Sequence, residues 1–154
     1  MRVTHNFDFA QYLKEPYRTI YIIGATNALR VSDIVEMKKD RLSVQRPVIT
    51  EKKTGKKKRL YIPANCKSYM QTLARLSPND FIFYSTGKTG HITRQAVFSA
   101  FKKAGKRANV QVNIGTHSMR KNSAYAKYAA TGSMKEVQKK LNHENATESA
   151  IYII

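Results

Sequence analysis

The sequence predicts an α+β domain, mainly α, with one small three-stranded antiparallel sheet. Three observations lead there. Apolar residues recur at helical spacing in several stretches. A single segment is rich in β-formers around a Thr-Gly turn. The length, 154 residues, suits one core without staples, and neither an internal repeat nor a low-complexity linker divides it.

From Pro16 to Leu29, Tyr17, Ile20, Tyr21, Ile23, Gly24 and Ala28 fall mostly at helical spacing, with Pro16 suited to a first turn, so a buried helix leads to Arg30. "RLSVQRPVITEKKTGKKKRLYIP" follows and reads as three short strands. Val48, Ile49 and Thr50 favour strands, and Leu60 and Ile62 alternate with Arg59 and Tyr61 beyond the Thr54-Gly55 turn. Met70, Leu73, Ala74 and Leu76 place a helix over Ala64 to Leu76, ended by "SPND". "FIFYSTGKTG" is a strand-like piece and a loop. Thr93 is suited to cap the next helix, with Val97, Phe98 and Phe101 on one face. Two more helices close the chain: one from about Thr116 to Thr131-Gly132, the other opening with Ser133 and Glu136 at capping-box spacing and ending near Leu141.

Lys plus Arg number 28 against 10 Asp plus Glu, a net charge of +18, which calls for a polyanionic partner and for nucleic acid first. A membrane surface is the weaker reading, because the cations are spread along the chain, and the longest apolar run, "TIYIIGA", is too short to span a bilayer. Cys66 stands alone, which leaves neither a disulfide framework nor a cysteine metal cluster and fits a buried, inert thiol in a reducing compartment. Cytoplasmic localisation is the expectation.

Reactive side chains concentrate at four spots: Arg30, Lys53 beside the hairpin turn, His117 with Arg120, and His143 followed by Tyr152. Each alone is more commonly a surface charge or a satisfied core residue. His117 and Arg120, three apart, share one helical face. Considered together they suit a phosphodiester. Two guanidiniums hold nonbridging oxygens bidentately, histidines move protons near neutral pH, and a lysine among cations becomes a better acid. A tyrosine hydroxyl is then the nucleophile. Lys52, Lys56, Lys57, Lys58 and Arg59 on the hairpin, and Lys102, Lys103, Lys106 and Arg107 at the end of the helix begun at Thr93, are the expected phosphate grips. Tyr125 and Tyr128 read as core residues, and His5 and His91 have no evident partner.

The motifs resemble those of the tyrosine recombinases, the phage integrase family. "ATNALRVSDIVEM" is similar to the family's first arginine motif, "TEKKTGKKKRLYIP" to its second and third strands with the lysine at Lys53, and "THSMR" to its His-x-x-Arg element. "LNHENATESAIY" resembles its Leu-Gly-His segment, with the tyrosine nine residues after the histidine (152 − 143 = 9). Asn142, Met119 and Ala28 depart mildly from the usual Gly, Leu and Gly. The resemblance runs from about Tyr17 to Tyr152, so residues 1–154 are expected to form the catalytic domain with neither a core-binding nor an arm-binding domain, either excised from a longer protein, which is favoured, or unusually minimal.

By resemblance, the chain is a helical catalytic domain that cleaves and rejoins duplex DNA through a 3′-phosphotyrosyl intermediate. Tyr152 attacks, Arg30 and Arg120 stabilise the transferring phosphoryl, His143 adds a hydrogen bond, Lys53 protonates the departing 5′ oxygen, and His117 assists proton removal. The resemblance implies no cofactor and no metal, double-stranded DNA as partner, and a homo-tetramer on paired sites at full length, with a monomer open for the isolated domain. Relaxation of DNA in the manner of a type IB topoisomerase is the alternative activity. A non-catalytic basic DNA-binding module comes next, and an RNA-binding protein last.

Overall fold

The computed structural model describes residues 9–108, Met119, Lys127, Tyr128 and residues 130–141. Helix α1 runs Tyr17–Asn27. Its first turn is satisfied by the Glu15 carboxylate, which accepts from the Thr19 amide at 2.8 Å and the Thr19 hydroxyl at 2.9 Å. Ile20, Tyr21 and Ile23 of α1 are buried, and Tyr21 meets Phe9 and Phe101 edge-on, with ring centroids 5.0 and 5.6 Å away. The helix stops because Ala28 takes a left-handed conformation at φ +56°, and the Leu29 amide donates back to the Gly24 carbonyl at 3.1 Å. Arg30 follows in extended conformation and opens the short helix α2, Val31–Val35.

A 3-10 helix over Lys39–Ser43 precedes the strands β1, Val48–Thr50, and β2, Lys57–Arg59. These two form an antiparallel ladder with Val48, Ile49 and Thr50 opposite Arg59, Lys58 and Lys57. The expected three-stranded sheet is therefore corrected to two strands among the described residues. Arg41 to Ser43 belong to the 3-10 helix, where the Ser43 hydroxyl donates to the Asp40 carbonyl at 2.8 Å, a local bond that competes with pairing. Only Leu42 of that stretch is buried, and Val44 is exposed, so no alternating face exists to pack as a strand. An isolated bridge forms nearby instead, between Lys38 and Phe81.

Helix α3 covers Ala64–Leu76, as the spacing predicts, and buries Cys66 and Met70. The strand-like "FIFYSTGKTG" makes only bridges, Lys38 with Phe81 and Tyr84 with His91. Helix α4, Arg94–Arg107, is capped by Thr93, whose hydroxyl accepts from the Ala96 amide at 3.1 Å. Val97 and Phe101 enter the core, whereas Phe98, expected on the same face, is 45% exposed. Gly132, at φ +66°, ends the preceding helical residues, with its amide bonded to the Tyr128 carbonyl. The last described helix, α5, covers Met134–Leu141, and the Glu136 amide donates to the Ser133 hydroxyl at 3.4 Å. Helices α2, α3 and α4 all pack on α1, so the Arg30 turn leaves the central helix of this core.

Candidate active site

Arg30 emerges from the turn between α1 and α2, and backbone on both sides fixes its position. Its side chain is 15% exposed, and Nη1 donates to Oε2 of a fully buried Glu51 at 3.3 Å. The remaining donors of this guanidinium make no hydrogen bond among the described residues, so a fork remains for a phosphate. Glu51 is the residue just beyond β1. Its amide donates to the Lys56 carbonyl and its carbonyl accepts from the Gly55 amide, both at 2.8 Å, which closes the turn carrying Lys53. Gly55, at φ +71°, supplies the left-handed residue the turn requires. Lys53 is exposed there and makes neither a hydrogen bond nor an ion pair among the described residues. One buried carboxylate thus ties Arg30 to the turn that presents Lys53.

Further bonds set the turn against α2 and the end of α1. The Asp33 carboxylate accepts from the Lys52 amide at 2.9 Å, and Lys52 Nζ pairs with Glu36 at 3.1 Å. Lys58, expected to grip phosphate, instead turns inward and donates to the Asn27 carbonyl at 2.7 Å. Arg107 donates to the Tyr12 carbonyl at 2.7 Å. Arg59, Lys102, Lys103 and Lys106 are exposed, as are Lys52 and Lys57, and Lys56 is half-buried. Glu51, Asp33 and Asn27 were not picked out from the sequence. The available signal was chemical: Glu51 is a lone acid heading the basic run 52–59.

His117, Arg120, His143 and Tyr152 lie outside the described residues, and so do His5 and Tyr125. Met119, between His117 and Arg120 in sequence, is described. It is fully buried, and its thioether lies where a Cβ on Gly24 of α1 would be. Met119 is thereby packed against the helix that delivers Arg30. Tyr128, expected in the core, is 38% exposed. His91 does have partners: Nδ1 lies 2.8 Å from the Ile92 carbonyl, and its ring meets Phe81 edge-on. Cys66 is buried, and desolvation, followed by the Glu15 charge, pushes its thiol up despite an opposing hydrogen bond with Thr19. That is the inert thiol the sequence suggests.

A helical domain presenting an arginine beside a cationic hairpin has the fold of recombinase catalytic domains. The solved structure of XerA recombinase superposes with a TM-score of 0.77 at 18% identity, covering 98% of this chain and 57% of that one. A lambda integrase fragment, solved as a dimer bound to a COC′ core site, gives 0.73 at 20% identity, covering 99% of this chain and 58% of that one. The chain thus spans somewhat over half the length of these structures. The probable integrase/recombinase YoeC of Bacillus subtilis (strain 168) is 29% identical over 136 residues, 87% of this chain and 75% of that protein. The phage integrase family model matches residues 3–154, and the chain belongs to that family. No helix among the described residues is long and apolar enough to cross a membrane.

Proposed function

We propose that this chain is a site-specific DNA recombinase domain that cleaves and rejoins duplex DNA through a 3′-phosphotyrosyl intermediate, with Tyr152 as nucleophile. The observation that carries the reading is Arg30. It is held by a buried carboxylate and a rigid turn, keeps donors for a phosphate, and stands on the same tether as the Lys53 turn. Family membership supports it, as does the order Arg30, Lys53, His117, Arg120, His143, Tyr152 along the chain.

In the proposed step the Tyr152 oxygen bonds to phosphorus while His117 assists removal of its proton. The bond from phosphorus to the 5′ oxygen breaks, and Lys53 Nζ gives that oxygen a proton. Arg30 and Arg120 stabilise the charge gathering on the phosphoryl oxygens, and His143 adds a hydrogen bond. The phosphotyrosyl linkage retains the energy of the diester, so attack by a 5′ hydroxyl reverses the step, and attack by one from another duplex exchanges strands. Double-stranded DNA is the proposed partner, a tetramer on paired sites the proposed assembly of the full-length protein, and the cytoplasm the proposed compartment. Among relatives, solved structures show a lambda integrase tetramer bound to a Holliday junction and XerH bound to its difH substrate.

Incubation with supercoiled plasmid at low salt, stopped with detergent, tests the reading. Relaxed circles and covalent protein–DNA adducts are expected with the unmodified chain and absent with Tyr152→Phe. Adducts that persist in Tyr152→Phe would refute the assignment of the nucleophile.

A further inference from the structure

The hairpin carrying Lys53 is fastened to the core at several points, and one fastening belongs to a residue with no role in the chemistry above. Along β2, Lys57 and Arg59 face solvent, whereas Lys58 between them is half-buried. Its ammonium donates to the Asn27 carbonyl at 2.7 Å and reaches the Ala28 carbonyl at 3.5 Å, where α1 stops and just before Arg30. The last carbonyls of a helix lack intrahelical donors and carry partial negative charge, so a cation is well placed there. The Asn27 side chain completes the fastening: Nδ2 donates to the Tyr61 carbonyl at 2.9 Å and Oδ1 accepts from the Tyr61 amide at 2.8 Å. Nδ2 also donates to the Ile23 carbonyl at 3.0 Å, within α1. Asn27 is 5% exposed, so water cannot easily replace these bonds. The stretch of chain that delivers Arg30 therefore also holds β2, and β2 leads out of the turn that presents Lys53.

We propose that Lys58 is a positioning residue for proton delivery to the leaving group: clamped on the end of α1 with Asn27, it sets the hairpin so that Lys53 reaches the 5′ oxygen. The inference rests on the proposed function. In the step concerned, a bond forms between the Tyr152 oxygen and phosphorus, the bond from phosphorus to the 5′ oxygen breaks, and the proton on that oxygen comes from Lys53. Arg30 has fastenings of its own in the α1–α2 turn and in Glu51. Loosening β2 therefore acts first on the lysine side of the site.

The test uses a duplex spanning a cleavage position mapped from the plasmid adducts, made with either oxygen or sulfur as the bridging 5′ atom. A 5′ thiolate departs without a proton donor, because a thiol is far more acidic than the corresponding alcohol. Lys58→Met is expected to cleave the oxygen duplex roughly 10- to 100-fold more slowly, the cost of misplacing a general acid. It should cleave the sulfur duplex as fast as the unmodified chain and bind DNA with unchanged affinity and salt dependence. Lys58→Arg, which still donates to the helix end, should recover most of the oxygen rate. Equal slowing on both duplexes, or slowing on neither, overturns the proposal, and so does a loss of affinity that accounts for the slower cleavage. If circular dichroism shows Lys58→Met unfolded, Lys58→Gln, which keeps a neutral hydrogen bond and loses the charge, should slow the oxygen duplex by less and leave the sulfur duplex unchanged, and equal slowing on both, or slowing on neither, overturns the proposal. Lys53→Ala separates the levels. If it cleaves the oxygen duplex normally, Lys53 is not the acid and the role of Lys58 falls with it, while failure of the unmodified chain to form any adduct overturns the functional reading itself.

Discussion

At Arg30, charge and geometry do separate jobs, and substitutions can tell them apart. The guanidinium faces a carboxylate with no exposed surface, so Arg30→Ala takes the cation away from a buried anion and should cost about 3 kcal/mol of stability, read as a lower denaturation midpoint. Arg30→Lys keeps a positive charge near Glu51 but lacks the planar fork. It is expected to retain most of the stability while cleavage falls on the order of 100-fold or more. If Arg30→Lys cleaves as well as the unmodified chain, the fork is not what Arg30 contributes. Motif order singles out Arg30 in the sequence, and the fold sets it on the same tether as the Lys53 turn. Glu51 is marked in the sequence as a lone acid ahead of a basic run, but its pairing with Arg30 is not, because the two lie 21 positions apart and only the folded hairpin brings them together.

Among the elements, α1 organises the site by what it lacks at Gly24. A side chain there would collide with Met119 and stand 3.2 Å from Ile34 Cδ1. Gly24→Val should therefore cost roughly 1–3 kcal/mol by overpacking and also slow cleavage, since Met119 sits between His117 and Arg120. Met119→Ala opens space, so the double variant should be more stable than the two single losses add up to, a coupling measured by a double-mutant cycle. Strict additivity would show that the two residues do not share this space. Helix α3 yields a second expectation. Burial, then the Glu15 charge, raises the Cys66 thiol, and burial, then Glu15 and Tyr84, raises the Tyr69 phenol. Both shifts favour the neutral forms in the fold, so their stabilisation is complete below the ordinary ionisation range and fades as pH rises through the raised values. Urea midpoints should decline above roughly pH 9 to 10, and less steeply in Cys66→Ala.

Helices were legible where apolar spacing and caps agree. Ala64–Leu76, the Thr93 cap and the Ser133–Glu136 pair all appear where the pattern places them. The third strand was not, because hydroxyl-to-carbonyl bonding at Ser43 and the lone buried Leu42 decide that stretch, and neither has a period. The inward turn of Lys58 was equally hidden: within "KKKR" nothing in composition separates the lysine that caps a helix from those that face solvent.

At the scale of the whole molecule, a net charge of +18 gives the proposed DNA binding a large electrostatic share, which should be steeply weakened by salt. Exposed Arg59 and Lys102 sit on different elements, β2 and α4. If both grip phosphates, Arg59→Gln with Lys102→Gln should reduce the slope of log affinity against log salt by roughly 2, measured by fluorescence titration over a salt series. An unchanged slope would place the DNA elsewhere on the surface. In the proposed reaction a particular oxygen becomes bonded to DNA, and the direct measurement is to identify that oxygen. Adducts formed on plasmid would be digested with nuclease and protease and the modified peptide sequenced by mass spectrometry. A nucleotide 3′-phosphate on Tyr152 is the expected result. A phosphate on any other side chain, or on a DNA 5′ end, would contradict it.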